Sequence, residues 1–536
     1  MNPKLWGRNF AVALLIAAFA YSGSMVWKHH REDAANSEVE VIRLAHWQLE
    51  PGMREAFDAI IADYEALHPN VRVKQVNIPG RVWRQWLRTQ LVGGNPPDLI
   101  EVANYLVSDE MFARYFVPLT SYLEEPNHYN SEEPDLRESS WRESFVGELV
   151  PNEAVHYYSA NLLEYYAVPN AMMTVRVFYN RDLMKELIGS DRVPETFAEF
   201  TALCEALKIG AREQAKRIQP LAGSIFNTRQ MTASLARVVT QKLAIELDYN
   251  HDLDLTMFEG NVAYLRDRWS YDTPVVRQSL ELIREVCRYM SPGWVQMKRE
   301  DAMLQFLQGQ AAMLATGTWD ASGILQQAQF DVGIFQFPEI DADNEHYGEG
   351  SLGPISESNT FGGVPMALSQ TSKHPERAID FLRYLTSRRS NTKFSETSNW
   401  LPVIKGVPIP QLVEAFRPIA DGYIPGLSAQ SFGQSPDKIY DSHVHLLSGE
   451  RASVEAYVEA TRELYPKAIR RELERMAKTY RETIRQKDSV MTGLYELDKG
   501  ADLARSKFDI VSAKQLEVEA LMLQSQRTIE DYPVDD

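Results

Sequence analysis

The stretch "GGNPPDLIEVAN", residues 93–104, sets two glycines, an asparagine and two prolines directly before a short apolar run. Its reading decides the fold. Glycine readily takes the left-handed conformation that closes a helix, and proline cannot continue one. The chain therefore ends a helix at Gly93 and Gly94, turns at Pro96 and Pro97, and enters a buried strand that finishes on Asn104.

The neighbours on the N-terminal side fit that reading. "VEVIRLAHW" (39–47) has the alternation and β-branched content of a strand. "GMREAFDAIIADYEALHP" (52–69) puts Phe57, Ile60, Ile61, Tyr64 and Leu67 on one helical stripe and stops at Pro69. "VRVKQVNI" (71–78) is a second strand and "RVWRQWLRTQLVGG" (81–94) a second helix. Strand, helix, strand, helix, strand with short joints predicts a parallel sheet with right-handed crossovers. Ligands of such sheets sit beyond the carboxyl ends of the strands, which places His46, Trp47, Asn104 and Tyr105 at one rim. Asp98, at the start of its strand, reads as a cap or turn residue.

Past a polar, proline-marked excursion at 124–145, a second α/β region begins. "TVRVFYN" (174–180) is a strand leading into a helix, and "IQPLAGSIFN" (218–227) is another strand. "DAMLQFLQGQAAMLATGTWDASGILQQ" (301–327) holds a helix, a strand over 311–316 and a turn into a new helix. "FDVGIFQFPEI" (330–340) reads as an edge strand, and "TFGGVPMALSQTSKHPERAIDFLRYLTS" (360–387) as turn, strand and helix. From Ala468 the chain becomes two long charged helices with narrow apolar stripes, Leu473, Met476, Tyr480 and Ile484 on one, Ile510, Leu516, Leu521 and Leu523 on the other. Such stripes suit a helical hairpin.

Composition bounds the function. A chain of 536 residues, 44% apolar and 24% charged, has room for two or three lobes. A net charge of -18 argues against wrapping nucleic acid, which needs a basic stripe. Phe10 to Trp27 is an uncharged run between Lys4, Arg8 and Lys28, Arg31. As a helix it reaches about 27 Å, enough for a bilayer core. It reads as an uncleaved membrane anchor, with a secretory signal cut after Ala18-Phe19-Ala20 as the alternative. Either places the body outside the cytoplasm. Cys204 and Cys287 are the only cysteines, each on an apolar helical face, and are expected as buried free thiols, with a disulfide left open.

The ordered set "YEALHPNVRVKQV", "LVGGNPPDLIEVAN", "VFYNRDL", "PETFAEF", "FLQGQAAMLATGTW" and "SKHPERAIDFLRYLTS" resembles the extracellular solute-binding proteins of the sugar-type bacterial ABC importers. The similarity runs from about Val39 to Ala460. It implies an α/β, two-lobed periplasmic-binding-protein-like fold with hinge strands, a carbohydrate or related polyol in the cleft, delivery to a membrane permease, and no cofactor. The divisions expected are an N-terminal hydrophobic helix and linker over 1–37, a two-lobed domain over 38–465, and a helical extension over 466–536. Within the domain the first lobe takes 38–150 and 355–395, the second 151–350 and 396–465. Two features depart from the family pattern: there is no lipid-modified N-terminal cysteine, and the extension after Ala468 is additional.

A sugar presents C–H faces and a ring of hydroxyls, so its site needs aromatic platforms with amides, carboxylates or hydroxyls at the rim. The candidates are Trp47, Asn104, the pair Trp319 and Asp320, Trp400 after Asn399, and Trp83 in a loop before its helix; Trp86 reads as core. The resemblance implies a stacking role for the aromatic of "TGTW", here Trp319. Tyr166, Asn170, Ser224 and Asn359 come from loops expected to line the same opening. "YDSHVHLLSG" (440–449) has the Asp-x-His-x-His form of a metal site, but its helical spacing turns His443 and His445 apart. No pair of carboxylates stands out as the acid and nucleophile of a glycosidase, and no P-loop, nucleophile elbow or dinucleotide fingerprint occurs. The expectation is a binding protein rather than an enzyme, with a membrane-anchored sugar sensor or scaffold as the second reading and a glycan-degrading enzyme as the third.

Overall fold

A computed structural model describes residues 39–103, 107–149, 158–159, 162–340, 342–358, 361–428, 432–449, 451–497 and 502–533. The apolar run Phe10–Trp27 lies outside these residues, as do Asn104, Tyr105 and Asn359. Among the described residues no helix is long and apolar enough to cross a membrane.

Nine strands carry the two main sheets: β1 Glu40–His46, β2 Val71–Asn77, β3 Leu99–Glu101, β4 Ala167–Val168, β5 Val175–Asn180, β6 Gln219–Ala222, β7 Ala311–Gly317, β8 Val332–Phe335 and β9 Met366–Leu368. The first sheet has the order β2-β1-β3-β9-β4, the second β8-β5-β7-β6. β1 is parallel to β2 and β3, as the short joints predict, and β9 closes on β3 antiparallel. β8 is an edge strand of the second sheet, as expected. The helices that matter below are α1 Met53–Leu67, α2 Gly80–Val92, α3 Ile225–Val239, α4 Gln241–Leu247, α5 Met257–Leu265, α6 Arg299–Leu307, α7 Thr318–Gln327, α8 Arg388–Ser398, α9 Gln434–His443, α10 Leu464–Leu497 and α11 Asp502–Asp531.

Among the described residues the reading of this stretch holds with two adjustments: β3 ends at Glu101, short of the expected Asn104, and the helix cap differs. Only Gly94 takes the left-handed conformation, at φ +71°, while Gly93 stays helical at φ -72°. α1 buries Phe57, Ile60, Ile61 and Tyr64 against the first sheet.

The lobe boundaries fall elsewhere than the sequence suggested. Ala167–Val168 belong to the first sheet, although 151 onward was assigned to the second lobe. Trp400, Leu401, Val403 and Ile404 lie in the core of the first lobe, because Leu401 bridges Met172 and Ile404 bridges Phe145. The extension does not begin as a separate unit at 466 either. α10 starts at Leu464, and its Ile469 and Leu473 are buried against Phe258, Val262 and Leu265 of α5. α11 folds back along it, and Lys507 reaches Glu164 beside the first lobe, Nζ to Oε1 2.6 Å. Cys204 and Cys287 are buried free thiols, and burial pushes both pKa values up.

Candidate functional site

The parallel strands of the first lobe end at a common rim, as predicted. β1 delivers His46 and Trp47, and β3 delivers Glu101. His46 is buried, bonds Gln75 through Nε2 at 2.9 Å, and has its pKa lowered by burial. Glu101 is fully buried and ties the chain after β1: its carboxylate accepts from Trp47 N at 3.0 Å and from Gln48 Nε2 at 2.6 Å. Burial pushes its pKa up to about 8 against those hydrogen bonds, and the charge of Glu50 adds to the rise. Glu50 itself is pushed up by burial, and its Oε2 has no hydrogen-bond partner among the described residues.

The second lobe faces this rim with the end of β7 and the start of α7. Trp319 is half-buried, its ring lying over Gly317. Phe226, exposed at the start of α3, meets it edge-on with centroids 6.2 Å apart. Arg299 from α6 lies 5.6 Å from the Phe226 ring and 6.0 Å from the Trp319 ring. Its guanidinium holds Asp320, which also accepts from Thr316 Oγ1 at 2.5 Å. From the first lobe, Glu50 comes within 3.8 Å of the same guanidinium. Trp319 Nε1 and Thr318 Oγ1 are buried without partners among the described residues. The interface thus sets two aromatic faces and a charged cluster beside unsatisfied donors and acceptors, the equipment that a polyhydroxylated ring would engage.

The lobes touch here. Gly52 has φ +85°, and a methyl group built on it would lie 2.6 Å from Ser322 Oγ of α7 and 2.9 Å from the Thr397 carbonyl. Behind the contact, Arg176 fastens three segments of the chain together. Buried at the start of β5, it donates to both oxygens of Glu357 (2.8 and 2.7 Å) and to the carbonyls of Ala415 and Arg417 (both 2.8 Å). Thr174 adds a bond to the Phe416 carbonyl at 2.6 Å. A cavity of about 290 Å³ opens beside these segments, lined by Met173, Arg176, Gln230, Ser234, Phe337 and Glu357 among others.

The candidates from sequence divide. Trp319 and Asp320 stand beside Arg299, which Glu50 approaches from the first lobe, while Trp47 follows β1 on the first-lobe rim. Trp47 is half-buried and meets Trp83 edge-on at 5.2 Å. Trp83 is not in a loop: α2 already begins at Gly80, and Trp83 points into the core at 1% exposure, while Trp86, read as core, is half-buried. Within the helix Trp83 shares the buried stripe with Leu87 and Leu91, which leaves Trp86 on its flank. Trp400 is likewise buried in the first lobe. Tyr166 is buried and stacked on Phe112 at 5.0 Å. Asn170 braces the segment carrying Val364, Nδ2 to its carbonyl at 2.7 Å, with Oδ1 unpartnered among the described residues. Ser224 is the N-cap of α3, its hydroxyl accepting from Asn227 N at 3.1 Å. Glu50, Glu101, Phe226 and Arg299 were missed. Glu101 could have been found as the carboxylate at the end of the quoted strand; Arg299 could not, since only the packing of α6 brings it to the rim. In "YDSHVHLL", α9 runs to His443, whose Nδ1 faces the Ile439 carbonyl at 2.9 Å.

The profile of the family described as bacterial extracellular solute-binding protein matches residues 50–392. The multiple sugar-binding protein of Streptococcus mutans is 25% identical over 397 residues, 70% of this chain and 79% of that protein. Among solved structures, the GacH receptor of Streptomyces glaucescens, studied unliganded and in complex with acarbose, is similar with a TM-score of 0.54 at 17% identity, covering 80% of this chain and 98% of the receptor. RafE of Streptococcus pneumoniae in its apo form is similar at 0.52 with 20% identity, covering 81% and 98%.

Proposed function

Since the chain belongs to the bacterial extracellular solute-binding protein family, we propose that it binds a mono- or oligosaccharide between its lobes outside the cytoplasm and hands it to an ABC-type permease, without chemistry of its own. The observation that carries this reading is the meeting of the two lobes at Arg299, Asp320 and Ser322 on one side and Glu50 and Gly52 on the other, with Trp319 beside Arg299. A ligand held by groups from both lobes favours the closed form by its differential contacts, and a permease can distinguish closed from open. The sugar-binding relative named above supports the choice of ligand class. The Phe10–Trp27 run would keep the protein at the outer face of the cytoplasmic membrane. The lobe division, with 167–168 and 400–404 in the first lobe, and the ligand roles of Trp47, Trp319 and Asp320 belong to the same proposal, with Asn104 and Asn359 as further contacts. A second reading, a sugar sensor or scaffold, is favoured by the C-terminal hairpin, which is attached to the second lobe and reaches Glu164 beside the first, so that closure would move it.

The test is a thermal-shift screen of the full-length chain in mild detergent against neutral, acidic and amino-substituted oligosaccharides, with a parallel assay for cleaved product. Stabilisation by a sugar without product is expected. Product formation would move the protein to the enzyme class, and no response to any sugar would remove the carbohydrate reading.

A further inference from the structure

The loop between α4 and α5 plays no part in the carbohydrate reading. Side-chain oxygens stand at alternate positions along it: Asp248, Asn250, Asp252, Asp254 and Thr256, followed by Glu259. Counting Asp248 as position 1, these are positions 1, 3, 5, 7, 9 and 12 of a loop between two helices, the ligand spacing of an EF-hand calcium loop. In a chain with 74 carboxylates spacing alone decides nothing, but the loop is also folded to match. Asp248 is buried and accepts from the amides of His251 and Leu253, both at 2.8 Å. Asn250 Oδ1 accepts from Asp252 N at 3.0 Å, and Asp252 Oδ1 from Asp254 N at 2.9 Å. Leu253 occupies the sixth position, where such loops carry glycine for a sharp turn, and it has the φ of +66° that glycine would take freely.

Glu259 supplies the independent sign of a ligand. Its residue is 3% exposed, and Oε2 is folded back onto the end of the loop, accepting from Thr256 N at 2.9 Å and Thr256 Oγ1 at 2.8 Å. Its Oε1 is buried and has no hydrogen-bond partner among the described residues. An unsatisfied carboxylate oxygen in the interior is costly, and the twelfth position is where these loops grip the ion with both oxygens.

We propose that residues 248–259 form a calcium site, with ligands from the side chains of Asp248, Asn250 and Asp252, the main-chain carbonyl of Asp254, Thr256 directly or through water, and both oxygens of Glu259. As they stand, the acidic groups are turned onto loop amides and no three of them gather as they would round an ion among the described residues; binding draws Glu259 off Thr256 and closes the loop. The oxygen-only donor set suits calcium, and the bidentate carboxylate disfavours magnesium, which needs near-octahedral geometry. The consequence is local. α5 is the seat of the C-terminal hairpin through Phe258, Val262 and Leu265, and Tyr249 of the loop bonds Gln524 of α11 at 3.2 Å. Calcium therefore fastens the hairpin to the second lobe.

Titration calorimetry on the full-length chain, stripped with chelator and then given calcium or magnesium chloride, tests this. One calcium site is expected, with a dissociation constant on the order of 10⁻⁵ to 10⁻³ M, a higher Tm with calcium, and magnesium at least tenfold weaker. Glu259→Gln keeps an acceptor for Thr256 and removes a charged ligand oxygen, so calcium affinity falls at least tenfold while the Tm in chelator stays near that of the parent. Asp252→Ala, at an exposed position, gives the same loss and serves if Glu259→Gln does not fold. No heat and no Tm shift at millimolar calcium, magnesium bound as tightly, or variants that bind calcium like the parent would each overturn the proposal.

Discussion

At the scale of single residues, Trp319 depends on Gly317. A methyl group built at Gly317 would fall 2.4 Å from the indole, so only glycine lets the ring lie over the strand end. If the exposed face of that ring is a sugar platform, Trp319→Ala loses about 1 kcal/mol of stacking and about 2 kcal/mol of apolar contact, roughly a hundredfold in affinity by calorimetry. A purely structural tryptophan would instead lower the Tm and leave affinity unchanged. Glu101 predicts a pH dependence. Its folded pKa of about 8 lies above the ordinary value near 4.5, so between those values the folded chain holds a proton that the unfolded chain has released. The contribution is fully present below about pH 4.5 and is lost as pH rises through about 8. Denaturant unfolding of the parent and Glu101→Gln at pH 5 and pH 9 should therefore show the stability difference moving in favour of the variant at the higher pH. A constant difference would mean that Glu101 stays ionised across the range.

At the scale of elements, the long helices at the C-terminus are partly core. Their stripes predicted a hairpin, and it is one, but Leu473 and Ile469 are buried against α5 while Leu516 and Leu523 stay exposed. Leu473→Ala should cost roughly 2 to 5 kcal/mol, read by denaturant unfolding, with sugar affinity changed no more than a few-fold because the site lies between the lobes. Full stability in that variant would show that the hairpin does not rest on the second lobe. Leu516→Ala, on the exposed stripe, is the contrast and should stay within about 0.5 kcal/mol of the parent.

At the scale of the molecule, closure is governed by the hinge and by the contact at Gly52. Arg176 is buried and neutralised by Glu357 of a second segment. Glu357→Gln leaves the guanidinium uncompensated, which should cost about 3 to 5 kcal/mol, seen as a lower denaturation midpoint. Gly52→Ala adds a methyl group where there is no room and strains a left-handed backbone. The closed form should lose population. The contraction in radius of gyration that saturating sugar produces in the parent, measured by X-ray scattering, should shrink in the variant, and an undiminished contraction would show that Gly52 does not meet α7 in the closed form.

The chain order of strands, helices and breakers by itself determined an α/β chain with a parallel sheet, and the family resemblance added the two lobes. Periodicity and the Gly-Pro break at 93–97 are local signals, and they place β1, α1, β2, α2 and β3 in a parallel sheet whose rim carries Trp47. Trp319 likewise follows a strand and a glycine in the sequence, and it stands at the start of α7. Tertiary structure alone decided what faces these residues. Arg299 and Glu50 meet across two lobes although 249 residues separate them in sequence, and no local pattern encodes that approach. Tyr166 and Trp400 sit in turns that look exposed on paper and are buried because distant segments bridge them, as Leu401 does with Met172. The lobe boundary moved for the same reason: β4, at Ala167–Val168, joins the first sheet by pairing with β9, nearly two hundred residues later. Local chain chemistry selects the elements; long-range packing chooses which side chains are left to meet a ligand.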